Sequence, residues 1–139
     1  MKQVIDLRVP VIDLRKVEVG TEVISSKGFS FILVSREKGK ESWLDVATGI
    51  TWGDTEYEKY TWDDAVAEFK DALPTRNEFK LAREHGAWKV VPSADSWYWS
   101  STEDGNYGAW IENIPGGTQY GYTKYYAGYV RCVVRRSVI

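Results

Sequence analysis

The chain has 139 residues, 20 acidic against 18 basic, and a formal charge of -2 at pH 7, a length that suits one domain of the usual roughly 100–200 residues and leaves no room for a second. The near-neutral balance lacks the basic field that draws proteins onto phosphate backbones or anionic lipid, so nucleic acid is not an expected partner. A single cysteine, Cys132, excludes an intrachain disulfide, a cysteine-based zinc cluster and two-cysteine redox chemistry.

Residues 1–6 lack the apolar stretch of a signal peptide, and no segment approaches the roughly 18 apolar residues of a membrane span. The expectation is a chain made in the cytosol, with no membrane insertion. Val4-Ile5-Asp6-Leu7-Arg8 recurs as Val11-Ile12-Asp13-Leu14-Arg15. Both copies read as extended, but an offset of seven puts equivalent side chains on opposite faces unless Pro10 re-registers the chain. Residues 1–20 are therefore expected to form an extended arm, packed either at the edge of the same domain or on a neighbouring subunit. Residues 21–139 form the domain proper.

Alternation over residues 17–25 and the apolar run 29–34 predict two strands around Lys27-Gly28, followed by a polar loop over 36–42. Trp43-Leu44-Asp45-Val46 and Ile50-Thr51-Trp52 flank Ala47-Thr48-Gly49, a short hairpin whose glycine supplies a positive φ. Thr61 caps a helix in which Asp63 and Asp64 complement the dipole and Trp62, Ala65, Val66 and Phe69 form the apolar face. Leu73-Pro74 ends it. Thr75 caps a second helix with Glu78 at capping-box spacing; Phe79, Leu81 and Ala82 face inward and Gly86 stops it. Strands are expected at 97–100, 109–114 and 129–134, with Gly116-Gly117 as a turn. Residues 115–128, rich in Gly, Tyr and Thr, read as a long loop, longer than the ~12–15 residues of ordinary connections and hence functional.

Charge is uneven: residues 51–73 carry seven acids against Lys59 and Lys70, while the end carries Arg131, Arg135 and Arg136. Contact between those regions, or with a charged partner, is left open. Of the seven Trp and nine Tyr, three Trp and seven Tyr follow Asp95, giving rigid faces with polar tips that serve in cores and at binding surfaces.

Taken in order, Asp45-Val46-Ala47-Thr48-Gly49-Ile50-Thr51-Trp52, the helix from Trp62, Leu73-Pro74-Thr75-Arg76-Asn77-Glu78-Phe79, Tyr98-Trp99-Ser100-Ser101-Thr102-Glu103, Ala109-Trp110 and Tyr129-Val130-Arg131-Cys132-Val133 resemble the domain named for the C-terminal part of a Legionella collagen-like adhesin. The resemblance runs from about Trp43 to Val134. It implies an α+β, C-type-lectin-like fold, with two short helices packed on twisted antiparallel sheets, terminal strands near each other and a long loop region that bears recognition. Adhesive or ligand-binding roles are implied without a particular ligand. Relatives often carry a cysteine in the first helix and Asp-Trp-Arg before Leu-Pro-Thr; here that helix has none and Asp71-Ala72 stands instead. The segment before Trp43 lies outside the match.

An enzyme needs a nucleophile with a base, paired carboxylates or metal ligands, and the chain offers little of that kind. His85, the single histidine, sits at a helix end and reads as structural. Cys132 in a strand reads as an inert buried thiol; sulfatase-activating enzymes share the broad fold implied, but need a cysteine pair. Glu103, Asp104 and Asn106, with Asp95, offer oxygen ligands, yet match no calcium-loop spacing, so no cofactor or metal is expected. Arg76, Asn77 and Glu78 read as a helix start, and Trp62, Trp99 and Trp110 as core.

The expected ligand-binding residues are Asn106, Tyr107, Tyr120, Tyr122, Tyr125 and Tyr126, whose rings can stack on sugar or peptide while their hydroxyls hydrogen-bond. The sequence reading is a non-enzymatic surface protein of a bacteriophage virion (tail tip, fibre or head decoration) assembled in the host cytoplasm. It would bind a host-surface glycan or protein through the tyrosines and join sister subunits, as a homo-oligomer, or other virion proteins through the arm. Two alternatives stand beside it: a purely structural, lattice-stabilising virion protein, and a bacterial adhesion-type ligand-binding domain.

Overall fold

The structure, a computed structural model, describes residues 4–8, 14, 17–56, 58–92 and 96–135. It is an α+β fold of two short helices and two mostly antiparallel sheets. Strands β1 (Val4–Asp6), β2 (Glu22–Ile24), β3 (Ser30–Glu37), β4 (Lys40–Asp45), β5 (Ile50–Thr55) and β9 (Arg131–Arg135) form one sheet in the order β1-β2-β3-β4-β5-β9. Only β1 and β2 run parallel. The second sheet is a meander of β6 (Ser96–Asp104), β7 (Gly108–Ile114) and β8 (Gln119–Thr123). Helices α1 (Trp62–Phe69) and α2 (Arg76–Glu84) lie between β5 and β6 in the chain. Among the described residues no helix is long and apolar enough to cross a membrane.

The two predicted helix starts are seen in detail. Thr61 accepts from the Asp64 amide, and Thr75 and Glu78 make a reciprocal capping box, Glu78 amide to Thr75 Oγ1 at 3.1 Å and Thr75 amide to Glu78 Oε1 at 2.8 Å. Gly86, with φ of 81°, follows the second helix. The hairpin of β4 and β5 turns at Gly49, φ 77°.

Three expectations need correction. Residues 36–42 are not a loop: β3 and β4 continue through them and reverse at Lys38-Gly39, both at positive φ, a turn that a lysine conceals. Residues 115–128 are not one long loop, because β8 occupies their middle and pairs with β7. Gly121 hid that strand, glycine being a poor strand former. A Cβ there would lie 1.8 Å from the Asp104 carboxylate, which would have to swing aside. Trp110 is half-buried rather than core, with the Arg76 guanidinium 3.4 Å over its ring.

Of the arm, the described residues pack on their own domain. Val4, Ile5 and Asp6 pair with Glu22, Val23 and Ile24 at the sheet edge, Ile5, Leu7 and Leu14 lie against the core, and Val17 is part of it. The second copy of the repeat lies, apart from Leu14, outside the described residues.

Two apolar clusters hold the layers. Phe31, Leu33, Trp43 and Trp52 of the large sheet meet Phe79 and Ala82 of α2, with Trp88 and Tyr98. Trp62 and Ala65 of α1 meet Trp99, Ala109 and Ile111 of the small sheet, with Leu73 and Val130. Each fully buried indole removes roughly 150–250 Å² from water, on the order of 4–6 kcal/mol as an upper estimate. The strings at residues 73–79 and 98–103 are tied to each other: the Ser101 amide donates to the Pro74 carbonyl at 2.7 Å and the Arg76 amide to Thr102 Oγ1 at 2.9 Å. Trp62 Nε1 donates to the Ser100 carbonyl and Trp99 Nε1 to that of Tyr60.

The arginines near the end meet the acidic half of the chain, though chiefly through carbonyls. Arg131 is fully buried and donates to the carbonyls of Gly53 and Pro92 and to Thr55 Oγ1. Arg135 forks onto both Glu78 oxygens at 2.6 and 2.7 Å and also reaches the carbonyls of Asp71 and Leu73. Arg136 lies outside the described residues.

Arg131→Met keeps the volume and removes the donors, so it is expected to cost about 2–4 kcal/mol, measured by urea denaturation; a loss below about 0.5 kcal/mol would show that the fork is not a structural tie. Burial alone would raise the Glu78 carboxyl, but hydrogen bonds from Arg135 and Thr75 outweigh it and hold the group below its ordinary 4.5. A depressed carboxylate stabilises the fold above its unfolded pKa and loses that contribution as pH falls through the folded value. Glu78→Gln is therefore expected to lower the melting temperature at pH 7, and its gap from the wild-type protein to close as pH drops below 4.5.

Candidate functional site

The strand β8 places Tyr120 and Tyr122 two residues apart, on one face. Their partners across the ladder are Ile111 and Ala109, both buried, so the two tyrosines continue the apolar face of the small sheet outward. The rings form a graded series. Trp97 stands edge-on to buried Trp99 at 5.2 Å, Tyr122 lies 4.7 Å from Trp97, and Tyr126 and Tyr120 lie 5.2 and 6.2 Å from Tyr122. Such tilted pairs add to area burial, so the outer rings rest on a rigid base. Gly128 makes the stack possible, since a Cβ there would sit 2.3 Å from the Trp97 ring.

Five of the six predicted residues are exposed: Asn106, Tyr107 (73 %), Tyr120 (41 %), Tyr125 (78 %) and Tyr126 (56 %). Tyr122 is half-buried and acts as the bridge between the rim and the core. The residues do not lie on one loop. Asn106 and Tyr107 come from the β6–β7 turn, Tyr120 and Tyr122 from β8, and Tyr125 and Tyr126 from the turn after β8. The Lys124 amide donates to the Tyr107 carbonyl at 2.9 Å and joins the two turns.

Sequence reasoning missed three contributors. Trp97 supports the stack. Asp63, read as a dipole partner at the start of α1, lines a pocket of about 180 Å³ with Asn106, Tyr107, Lys124 and Tyr125. Lys124 crosses beneath it: its ammonium bonds Glu103 Oε2 at 2.8 Å and the Asn106 carbonyl at 3.2 Å, and lies 4.3 Å from the Trp62 ring centroid. Only the alternation of Gln119-Tyr120-Gly121-Tyr122-Thr123 could have signalled β8 and hence this assembly.

The groups weighed for catalysis or metal are placed as follows. His85 Nδ1 is 2.7 Å from Asp45 Oδ2, its ring stacks on Phe29 at 3.9 Å, and Ser25 Oγ donates to its carbonyl rather than to the imidazole. These three residue types thus tie the second helix end to the β4–β5 hairpin and the β2–β3 turn. Burial pushes the Cys132 thiol up to about 11, with Glu56 adding to the shift, so little thiolate forms at neutral pH. Glu103 is occupied by Lys124, and Asp95 lies outside the described residues. Among the described residues no three His, Cys, Asp or Glu side chains gather as a metal site.

No protein-family model matches the chain, and no curated protein matches it.

Gly128→Ala is expected to displace Trp97 and loosen Tyr122 and Tyr126. The predicted cost is about 1–3 kcal/mol, as for overpacking of a filled site, read as a fall in melting temperature with a change in tryptophan fluorescence.

Proposed function

We propose that the chain is a non-enzymatic recognition domain of the C-type-lectin-like kind, similar to the C-terminal domain of the Legionella collagen-like adhesin. In this reading it is a surface protein of a bacteriophage particle that binds a host-surface glycan or protein through the tyrosine face. The observation that carries the reading is the set of four exposed tyrosines, Tyr107, Tyr120, Tyr125 and Tyr126, arranged beside a half-buried Tyr122 that is packed on tryptophan. A monomer in water gains little from exposing such rings, whereas rigid aromatic rings bind at low entropy cost.

Support for the lectin-like assignment comes from the adjacency of β5 and β9, strands toward the two ends of the stretch that carries the resemblance, and from the interlocked Leu73-Pro74-Thr75-Arg76 and Tyr98-Trp99-Ser100-Ser101-Thr102 strings. The chain's first strand, β1, stands at the far edge of the large sheet. Its outer side has no strand partner among the described residues. A sister subunit or another particle protein would pair there.

One observation favours the lattice-stabilising alternative. The outer face of the large sheet carries Ile32, Leu44, Thr51 and Val134 in a row across the strands, with Val34, Val46 and Val134 exposed. In that reading this face and the tyrosines are subunit contacts.

Replacing Tyr120, Tyr125 and Tyr126 by Ala separates the two, Tyr122 being left in place because it supports the sheet. Adsorption of particles to host cells is expected to fall at least about tenfold with assembly and melting temperature unchanged. Defective assembly with normal adsorption would favour the lattice role.

A further inference from the structure

We infer that the pocket beside the tyrosine face is a subsite for one uncharged pyranose ring, held by Asp63 and Asn106 between Tyr107 and Tyr125, and closed to acidic sugars. This rests on the recognition reading of the tyrosine face and names the ligand class.

Three segments distant in sequence converge on the pocket. The first turn of α1 brings Asp63, the β6–β7 turn brings Asn106 and Tyr107, and the turn after β8 brings Lys124 and Tyr125. The half-open space, about 180 Å³, is smaller than the roughly 300–1,000 Å³ of sites for drug-sized ligands, so it admits a single ring of a longer glycan. Phenol rings offer flat apolar surfaces to the C–H face of a sugar.

The polar groups divide into spent and free. Lys124 is spent: its side chain is 13 % exposed and its ammonium is committed to Glu103, to the Asn106 carbonyl and to the Trp62 ring. The Asp63 carboxylate and the Asn106 amide are exposed and have no partner among the described residues. A carboxylate accepts two hydroxyl protons, and an amide both donates and accepts. Adjacent ring hydroxyls, each a donor and an acceptor, satisfy such a pair.

Charge supplies the selectivity. Asp63 has Asp64 beside it, and Glu103 and Asp104 lie on the neighbouring hairpin, all exposed. Lys124, the cation in the pocket lining, is paired with Glu103, which leaves the Asp63 charge of the lining uncompensated. A carboxylate or sulfate on the sugar would be set against the Asp63 carboxylate with no free cation among the described residues that line the pocket, a repulsion that discriminates more sharply than any added contact.

The test is an NMR titration of the full chain with the methyl glycosides of glucose, galactose and mannose, and with glucuronic acid and N-acetylneuraminic acid. At least one neutral glycoside is expected to shift the Asn106 side-chain amide and the Tyr107 and Tyr125 ring signals saturably, while both acids leave them in place. Asp63→Asn and, independently, Asn106→Ala should each raise Kd for that glycoside about tenfold with the remaining amide spectrum unchanged. Silence from all three neutral glycosides, equal binding of the acids, or unaltered affinity in both variants would overturn the subsite. If the triple tyrosine variant still loses adsorption in that case, the recognition face stands without a sugar pocket; if that variant adsorbs normally, the recognition reading itself falls.

Discussion

A guanidinium sealed inside the protein organises the meeting of the sheets. Arg131, fully buried on β9, reaches the Gly53 carbonyl and Thr55 hydroxyl of β5 and the Pro92 carbonyl ahead of β6, with its charge 5.3 Å from the Tyr98 ring centroid. Burial pushes its pKa down, with Tyr98 and Asp54 opposing the shift. Arginine tolerates this because its pKa starts so high and its planar fork satisfies several carbonyls at once. Even so, Nε remains unpaired among the described residues, a cost that the packing around it must offset. Lysine, with a point charge and no fork, cannot hold three carriers in fixed register.

From that junction the small sheet acquires its place. Tyr98 OH lies 2.6 Å from Thr55 Oγ1, and β6 runs alongside the approach to β9, the Trp99 amide donating to the Tyr129 carbonyl and the Tyr129 amide to that of Trp97. One face of the sheet then sends Tyr98 and Glu112 toward α2. Glu112 is buried against Arg83 at 2.9 Å and Trp88 Nε1 at 3.0 Å, and burial raises its pKa despite these partners. The opposite face carries Trp97, Trp99 and the tyrosines. The tyrosine face is thus mounted on a sheet whose back is fastened by the ion pair of half-buried Arg83 with buried Glu112 and whose base is an edge-on pair of tryptophans. In the proposed recognition role, the outer rings would need little ordering on binding.

Much of this was legible along the chain where the cause is local. Thr75 and Glu78 sit three residues apart because a helix start leaves amides that need them, and Gly49 and Gly86 stand where the backbone turns to positive φ. Alternation and apolar spacing located β5, β6, β7, α1 and α2 within a few residues. Where a residue serves a distant neighbour, the local signal misled. Gly121 looks like a loop residue, yet its missing side chain makes room for Asp104. Lys38 looks like part of a loop, yet it forms a turn at φ 52° between paired strands. Asp63 has a sufficient local reason, the helix dipole, which masked its place in the pocket.

The sequence by itself determined the tyrosines of the candidate site and part of the framework around them: the aromatic excess after residue 95, the capped helices, and a lone cysteine. Tertiary structure alone decided which tyrosines face solvent, that Tyr122 is half-buried against Trp97, and that Asp63, Asn106 and Lys124 meet. The physical reason is range. Caps, turns and amphipathic faces are settled by neighbours within one helical turn or two strand positions. The convergence of α1, the β6–β7 turn and the segment after β8 depends instead on how two sheets pack around Arg131 and two tryptophan-rich clusters, which no local window of the chain records.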